Sequence, residues 1–152
     1  MTLTNTRFGE VEYSADDIIT LADGIIGFPS NNQFLLLNHK PNTPFRWLQN
    51  IEDASLAFLV AFPEVIVPGY APEVDNSVAK ELELNEETPL MILTTVTIPA
   101  GKPQEMTTNL LGPIVINGAT MQAKQVILSD DAYTVKHRVF ATTERVAEKV
   151  AA

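Results

Sequence analysis

The stretch Asn109-Leu110-Leu111-Gly112-Pro113-Ile114-Val115-Ile116-Asn117-Gly118 sets the architecture. At its centre stand consecutive β-branched apolar residues, the side chains that best fit a pleated, buried surface. Asn117-Gly118 ends the run with a dipeptide that favours a tight hairpin turn, since both residues tolerate positive φ. Pro113 opens it. Proline has no N–H to give a ladder, so it marks a sheet edge or a bulge where an added strand can pair. Leu110, Ile114 and Ile116 read as core, in a strand that begins at an opening and ends in a reversal.

The same grammar recurs on both sides. Leu35-Leu36-Leu37, Leu56 to Phe62, Met91 to Ile98, Gln125 to Leu128 and Tyr133 to Phe140 are short runs rich in Val, Ile, Thr and aromatics. Gly24, Gly27-Phe28-Pro29, Pro41-Asn42, Pro63, Pro68-Gly69, Pro89 and Pro99 to Pro103 separate them. Leu56 to Phe62 is apolar on both faces, as a strand covered on both sides is. In the last run Tyr133, Val135, His137 and Val139 share one face. The 10 prolines forbid long helices and suit a curved or closed sheet. Two short helices fit. Ser14-Ala15-Asp16-Asp17 has the capping-box spacing. Asp75 is placed to cap a helix from Asn76 to about Leu82, with Val78 and Leu82 inward. The expected fold is mainly β: a small antiparallel β-barrel-like single domain over residues 1–140 with one or two short helices. Residues 141–152 read as a C-terminal tail, disordered or a short helix.

A chain of 152 residues, 45% hydrophobic and 19% charged, builds its core without staples. It has no cysteine, which excludes disulfides, thiolate metal sites and cysteine nucleophiles. The longest apolar run, Leu56 to Phe62, is far short of the ~20 residues of a membrane-spanning helix. No secretory signal is expected, because the first residues lack an apolar core segment. The expected setting is the cytoplasm.

The net charge is −9, and it is unevenly spread. Between Glu52 and Glu87 stand nine acids and one base, Lys80, giving −8; the rest of the chain carries −1. A nucleic acid or an anionic membrane is therefore not an expected partner. A cationic protein is the natural complement, although an acidic solvated face also serves solubility.

Chemistry is sparse. His39 and His137 are the only histidines, and no HxH or HExxH spacing surrounds them. His137 reads as a core or edge residue. GxSxG, SxxK, Walker and GxGxxG motifs are absent. A hydrolase built on Asp130 with Glu105 rests on residue type alone. The chain is expected to be no enzyme and to need no cofactor or metal. Phe45-Arg46-Trp47 holds the one tryptophan, with Phe45 and Trp47 on a common face, read as core or barrel-mouth packing or as an interface anchor. Tyr70, in Pro68-Gly69-Tyr70-Ala71-Pro72, reads equally as a contact residue or as a cover for the core.

Three strings together resemble the FliW family of flagellar assembly factors. They are Asp17-Ile18-Ile19 with Gly24-Ile25-Ile26-Gly27-Phe28, then Asn109 to Asn117, then Ala123-Lys124-Gln125-Val126-Ile127-Leu128. The resemblance runs from about Phe8 to Phe140. Ile26 stands where the family often has proline, and Gly112 where it often has alanine. The resemblance implies a small β-barrel-like domain that binds flagellin in the cytoplasm. It implies further that the flagellin-free factor binds and antagonises CsrA, a basic RNA-binding repressor of flagellin mRNA translation. For CsrA, Glu73, Asp75, Glu81, Glu83, Glu86 and Glu87 are the expected surface. Flagellin's terminal segments, amphipathic and disordered before assembly, need an apolar groove or an open sheet edge. The expected contacts are the Asn109 to Asn117 string, through Asn109, Leu111, Pro113 and Asn117, and the Gly24 to Phe28 loop, through Phe28; Tyr70 is a further candidate for partner contact. The competing reading is a small-molecule carrier with its ligand in a β-barrel cavity.

Overall fold

The computed structural model describes residues 1–38, 42–129 and 131–140. His39, Pro41, Asp130 and the stretch after Phe140 lie outside the described residues. The strands are β1 (Thr2–Thr6), β2 (Gly9–Glu12), β3 (Ile19–Leu21), β4 (Gln33–Leu37), β5 (Phe45–Asn50), β6 (Ala57–Ala61), β7 (Leu90–Thr97), β8 (Thr107–Thr108), β9 (Ile114–Asn117), β10 (Gln122–Gln125) and β11 (His137–Arg138). Two short α-helices, α1 (Pro63–Ile66) and α2 (Asn76–Glu81), and 3-10 turns at Ala15–Asp17 and Pro103–Glu105 join them.

Strands β3-β4-β5-β6-β7-β9-β10 form a ring, closed where β10 returns to β3. All neighbours in the ring are antiparallel except this last pair, which is parallel through Gln122↔Thr20 and Ala123↔Leu21. The expected, mostly antiparallel barrel is present, with one parallel pair at this seam. The reason is parity: seven strands cannot alternate direction around a closed ring, so one pair must run the same way.

The interior is filled. Ile19, Leu21, Phe34, Leu48, Val60, Leu93, Ile114 and Ile116 are at most 1% exposed and pack as one cluster. A barrel this small closes on its own side chains. The carrier reading finds a packed core where it needs a chamber. Val115 points the other way, outward, against Val78 of α2, its C-cap Leu82 and Val126. This second cluster is why Ile114-Val115-Ile116 is buried on both faces.

Two expected strands are corrected. Gln125 to Leu128 is displaced: the regular strand is β10, and Val126 and Leu128 then donate their amides to the Pro113 and Leu111 carbonyls at 2.9 and 2.8 Å. Tyr133 to Phe140 contains only the two residues of β11, paired with Thr107 and Thr108. Upstream, the Thr134 carbonyl accepts from the Leu110 amide, the Tyr133 hydroxyl accepts from the Ala71 amide, and Val135 is 55% exposed. The alternation of apolar residues there does not report a pleat.

β7 bends between two partners. One edge pairs first with β9, from Leu90↔Asn117 to Leu93↔Ile114, then with β8 through Val96↔Thr108 and Thr97↔Thr107. Its other edge pairs with β6 only through Val60↔Thr95 and Ala61↔Thr94. The barrel wall is therefore split where Ala57–Leu59 and Val96–Ile98 diverge.

Candidate functional site: an acidic face and a split in the barrel wall

The acidic quarter is mounted on α2. Asp75 caps it as expected: its Oδ1 accepts from the Ser77 amide at 3.0 Å, the Ser77 hydroxyl at 2.6 Å and the Val78 amide at 3.1 Å. These bonds, the Ser77 hydroxyl foremost, hold the Asp75 carboxyl below the usual carboxylate range. At the other end the Leu84 amide reaches the Ala79 carbonyl at 2.8 Å and the Glu83 amide the Lys80 carbonyl at 3.2 Å. This is the pair of hydrogen bonds of a Schellman cap, whose pivot is usually glycine. Here the pivot is Glu83, at φ +55°.

Glu81 is occupied. Lys124 holds it at 2.9 Å and Asp23 at 3.0 Å, and the two carboxylates, Glu81 first, raise the lysine's pKa. That pair ties α2 to the loop after β3. Glu73, Asp75, Glu83, Glu86 and Glu87 are exposed, and none belongs to an ion pair among the described residues.

The other sequence candidates divide by burial. Asn117 is 2% exposed. Its Nδ2 donates to the Leu82 carbonyl at 2.7 Å, and its Oδ1 accepts from the Ala119 and Thr120 amides at 2.8 and 3.2 Å. Both ends of the amide are spent inside the protein, locking α2 to the β9–β10 turn. Pro113 is buried as well, with its carbonyl taken by Val126. Tyr70 is 8% exposed and donates its hydroxyl to the Leu110 carbonyl at 2.6 Å. Burial, then Tyr133, pushes its phenol well above the ordinary range. It is the cover for the core, not an exposed contact. The expectation that Asn117 and Pro113 present themselves at an open edge is corrected: the internal hydrogen bonds consume those groups.

The opening lies elsewhere, at the split between β6 and β7. A slot of about 300 Å³ there is lined by Ile25, Ile26, Phe58, Thr95, Val96 and Gln125, with Asn109 at its rim. Asn109 is half-buried, its Oδ1 accepting from the Leu111 amide at 3.0 Å. Gln125 stitches the walls together: its Oε1 accepts from the Ile26 amide at 2.8 Å and its Nε2 donates to the Gly112 carbonyl at 2.9 Å. The Gly24 to Phe28 loop thus reaches the Asn109 string, as two of the three familiar strings do not in sequence. Gly24 makes the loop possible, for it sits at φ +67° and any Cβ would meet the Phe28 carbonyl oxygen. The loop buries Ile25 and leaves Ile26 and Phe28 60% and 39% exposed, Phe28 edge-on to Phe58 at 5.2 Å. Sequence reading named the Gly24 to Phe28 loop, which holds Ile26, but missed Phe58 and Gln125. The apolar Ile25-Ile26 pair was the available signal, one residue buried and the next exposed.

Among the described residues no cluster of His, Asp and Glu is arranged to hold a metal ion, and no helix is long and apolar enough to cross a membrane. His137 lies half-buried in β11 opposite Thr108.

The family model described as FliW protein matches residues 2–139. The flagellar assembly factor FliW of Geobacter sulfurreducens is 39% identical over 145 residues, covering 95% of this chain and 90% of that protein. That of Thermoanaerobacter pseudethanolicus is 36% identical over 140 residues, covering 91% and 93%. A crystal structure of the flagellar assembly factor FliW superposes with a TM-score of 0.83 at 31% identity, covering 92% of this chain and 97% of that one. With model, relatives and fold in agreement over nearly its whole length, the chain belongs to the FliW family of flagellar assembly factors, a family of assembly proteins and not of enzymes.

Proposed function

We propose that this chain binds flagellin in the cytoplasm and, when free of it, binds and antagonises CsrA, relieving repression of flagellin mRNA translation. It acts by reversible binding and catalyses nothing. The observation that carries the CsrA half is Glu83. An acid at a helix C-terminus opposes the helix dipole, and a non-glycine residue at positive φ strains the backbone. Two local costs are borne at one residue, beside exposed Glu86 and Glu87, where a basic partner gains from each charge. Exposed pairs are individually worth about 0–1 kcal/mol, so the face acts mainly on encounter rate and orientation.

For flagellin, the slot supplies what an unassembled terminal segment needs: diverging strand edges with Ile26 and Phe28 beside them. Leu111, half-buried next to Asn109, flanks the same region.

Capture of flagellin and CsrA from lysate by the purified chain is the first test. The Glu83→Lys, Glu86→Lys, Glu87→Lys variant is expected to slow CsrA association and flatten its salt dependence. Unchanged kinetics would remove CsrA from this face. A photo-crosslinker at position 28 is expected to label flagellin; labelling only from α2 would move flagellin off the slot.

A further inference from the structure

A second concavity adjoins the slot and shares Leu59 with it. It is a trough of about 740 Å³ across the outer face of β5 and β6. Phe45, Trp47 and Leu59 make its floor. The tip of the β1–β2 hairpin makes one wall, with Phe8 5.5 Å from the Trp47 ring; Ile98 and Met106 make the other. Trp47 and Phe45 are thus neither core nor barrel mouth, and Ile98 is 45% exposed. Among the described residues the lining carries one charge, Arg7, and no carboxylate. Its guanidinium lies 4.4 Å from the Trp47 ring centre and is in none of the ion pairs among the described residues. In the ring order, β5–β6 lies across the barrel from β9–β10, which carry α2 and the acidic face.

We propose that this trough docks the apolar face of an amphipathic, acidic helix supplied by a partner protein, with a partner carboxylate meeting Arg7. Charge selects the occupant: a basic helix is drawn to the face across the barrel, while an acidic one is repelled there and finds a cation here. Continuity with the slot extends the flagellin surface, and the inference rests on that reading for its biological occupant. A segment that enters the slot extended continues along the trough as a helix.

Trp47, the one tryptophan, reports directly from the floor. The probe is a synthetic peptide of roughly five helical turns with leucine at helical spacing and glutamate and glutamine elsewhere, tested beside a scramble of the same composition. The peptide is expected to shift Trp47 emission to shorter wavelength saturably, and the scramble to leave it unmoved. Ile98→Glu is expected to weaken binding about tenfold or more, since it sets a charge against the apolar face. Arg7→Glu should weaken it several-fold at low salt and less at high salt. No emission shift, indifference to Ile98→Glu, or binding only after removal of residues 141–152 would overturn the proposal; the last would make the chain's own tail the occupant. If Ile98→Glu loses the peptide yet captures flagellin as the parent chain does, the trough is not flagellin's seat while the function stands. If the parent chain captures no flagellin, the function falls and the peptide alone decides the trough.

Discussion

Replacing Glu83 by glycine should make the protein more stable and a poorer partner. Glu83 holds φ +55°, a conformation that costs an L-residue about 1–2 kcal/mol and glycine almost nothing. Glycine returns roughly 0.5–1 kcal/mol of this through the greater freedom of its unfolded chain. Removing an acid from the helix C-terminus adds a further ~0.3–1 kcal/mol. The net expectation is a gain of about 1 kcal/mol, or roughly 2–4 °C in Tm for a domain of this size. Glu83→Ala separates the contributions: it relieves the dipole but keeps the strained Cβ, so its gain should be at most half that of glycine. Urea denaturation of the three proteins gives the comparison, with equal m-values required. A glycine variant no more stable than the alanine variant would refute the backbone argument. Both variants should associate more slowly with CsrA at low salt; unchanged rates would refute the functional reason for the strain.

Asn117→Ala should cost about 2–4 kcal/mol, because it strips a buried carbonyl of its donor and two turn amides of their acceptor at once; a loss under about 0.5 kcal/mol in urea would show that α2 holds without this tie. Tyr70→Phe should cost roughly 1–2 kcal/mol for the unsatisfied Leu110 carbonyl, read from the same denaturation series. Asp75 has a folded pKa below its unfolded one, so its contribution is full above the ordinary carboxylate pKa and is lost as pH falls through the depressed value. The protection factor of the Val78 amide, with the intrinsic pH dependence of exchange removed, should therefore fall only once the pH drops below the ordinary carboxylate pKa, and Asp75→Asn, which still caps, should blunt that dependence; an equal acid response in the variant would exclude Asp75 as its source.

What was readable in the sequence was what local physics decides. The Asp75 cap, the apolar pair Val78 and Leu82, the Asn117-Gly118 reversal and the short proline-bounded strands all follow from side-chain geometry within a few residues. Asn117 shows the boundary. Its turn bonds reach Ala119 and Thr120 and were legible, whereas its bond to Leu82 spans 35 residues and left no trace. The same holds for Gln125, which meets Ile26 across 99 residues. Tyr133 to Lys136 misled because alternation was taken for a pleat where tertiary hydrogen bonds decide the path. The split between β6 and β7 depends on β7 switching partners from β9 to β8, which no single strand's residues encode.

The parallel seam has a consequence for biosynthesis. β3 emerges from the ribosome about a hundred residues before β10, since Thr20 must wait for Gln122. Until then the nascent chain displays β3's unsatisfied edge, and the ring can be finished only by its last quarter. Closure over so long a loop is slow, in the millisecond-to-second range typical of non-local β topologies. A chain truncated before residue 122 should therefore be cut freely by a protease, and one extended through residue 140 should become resistant in one step.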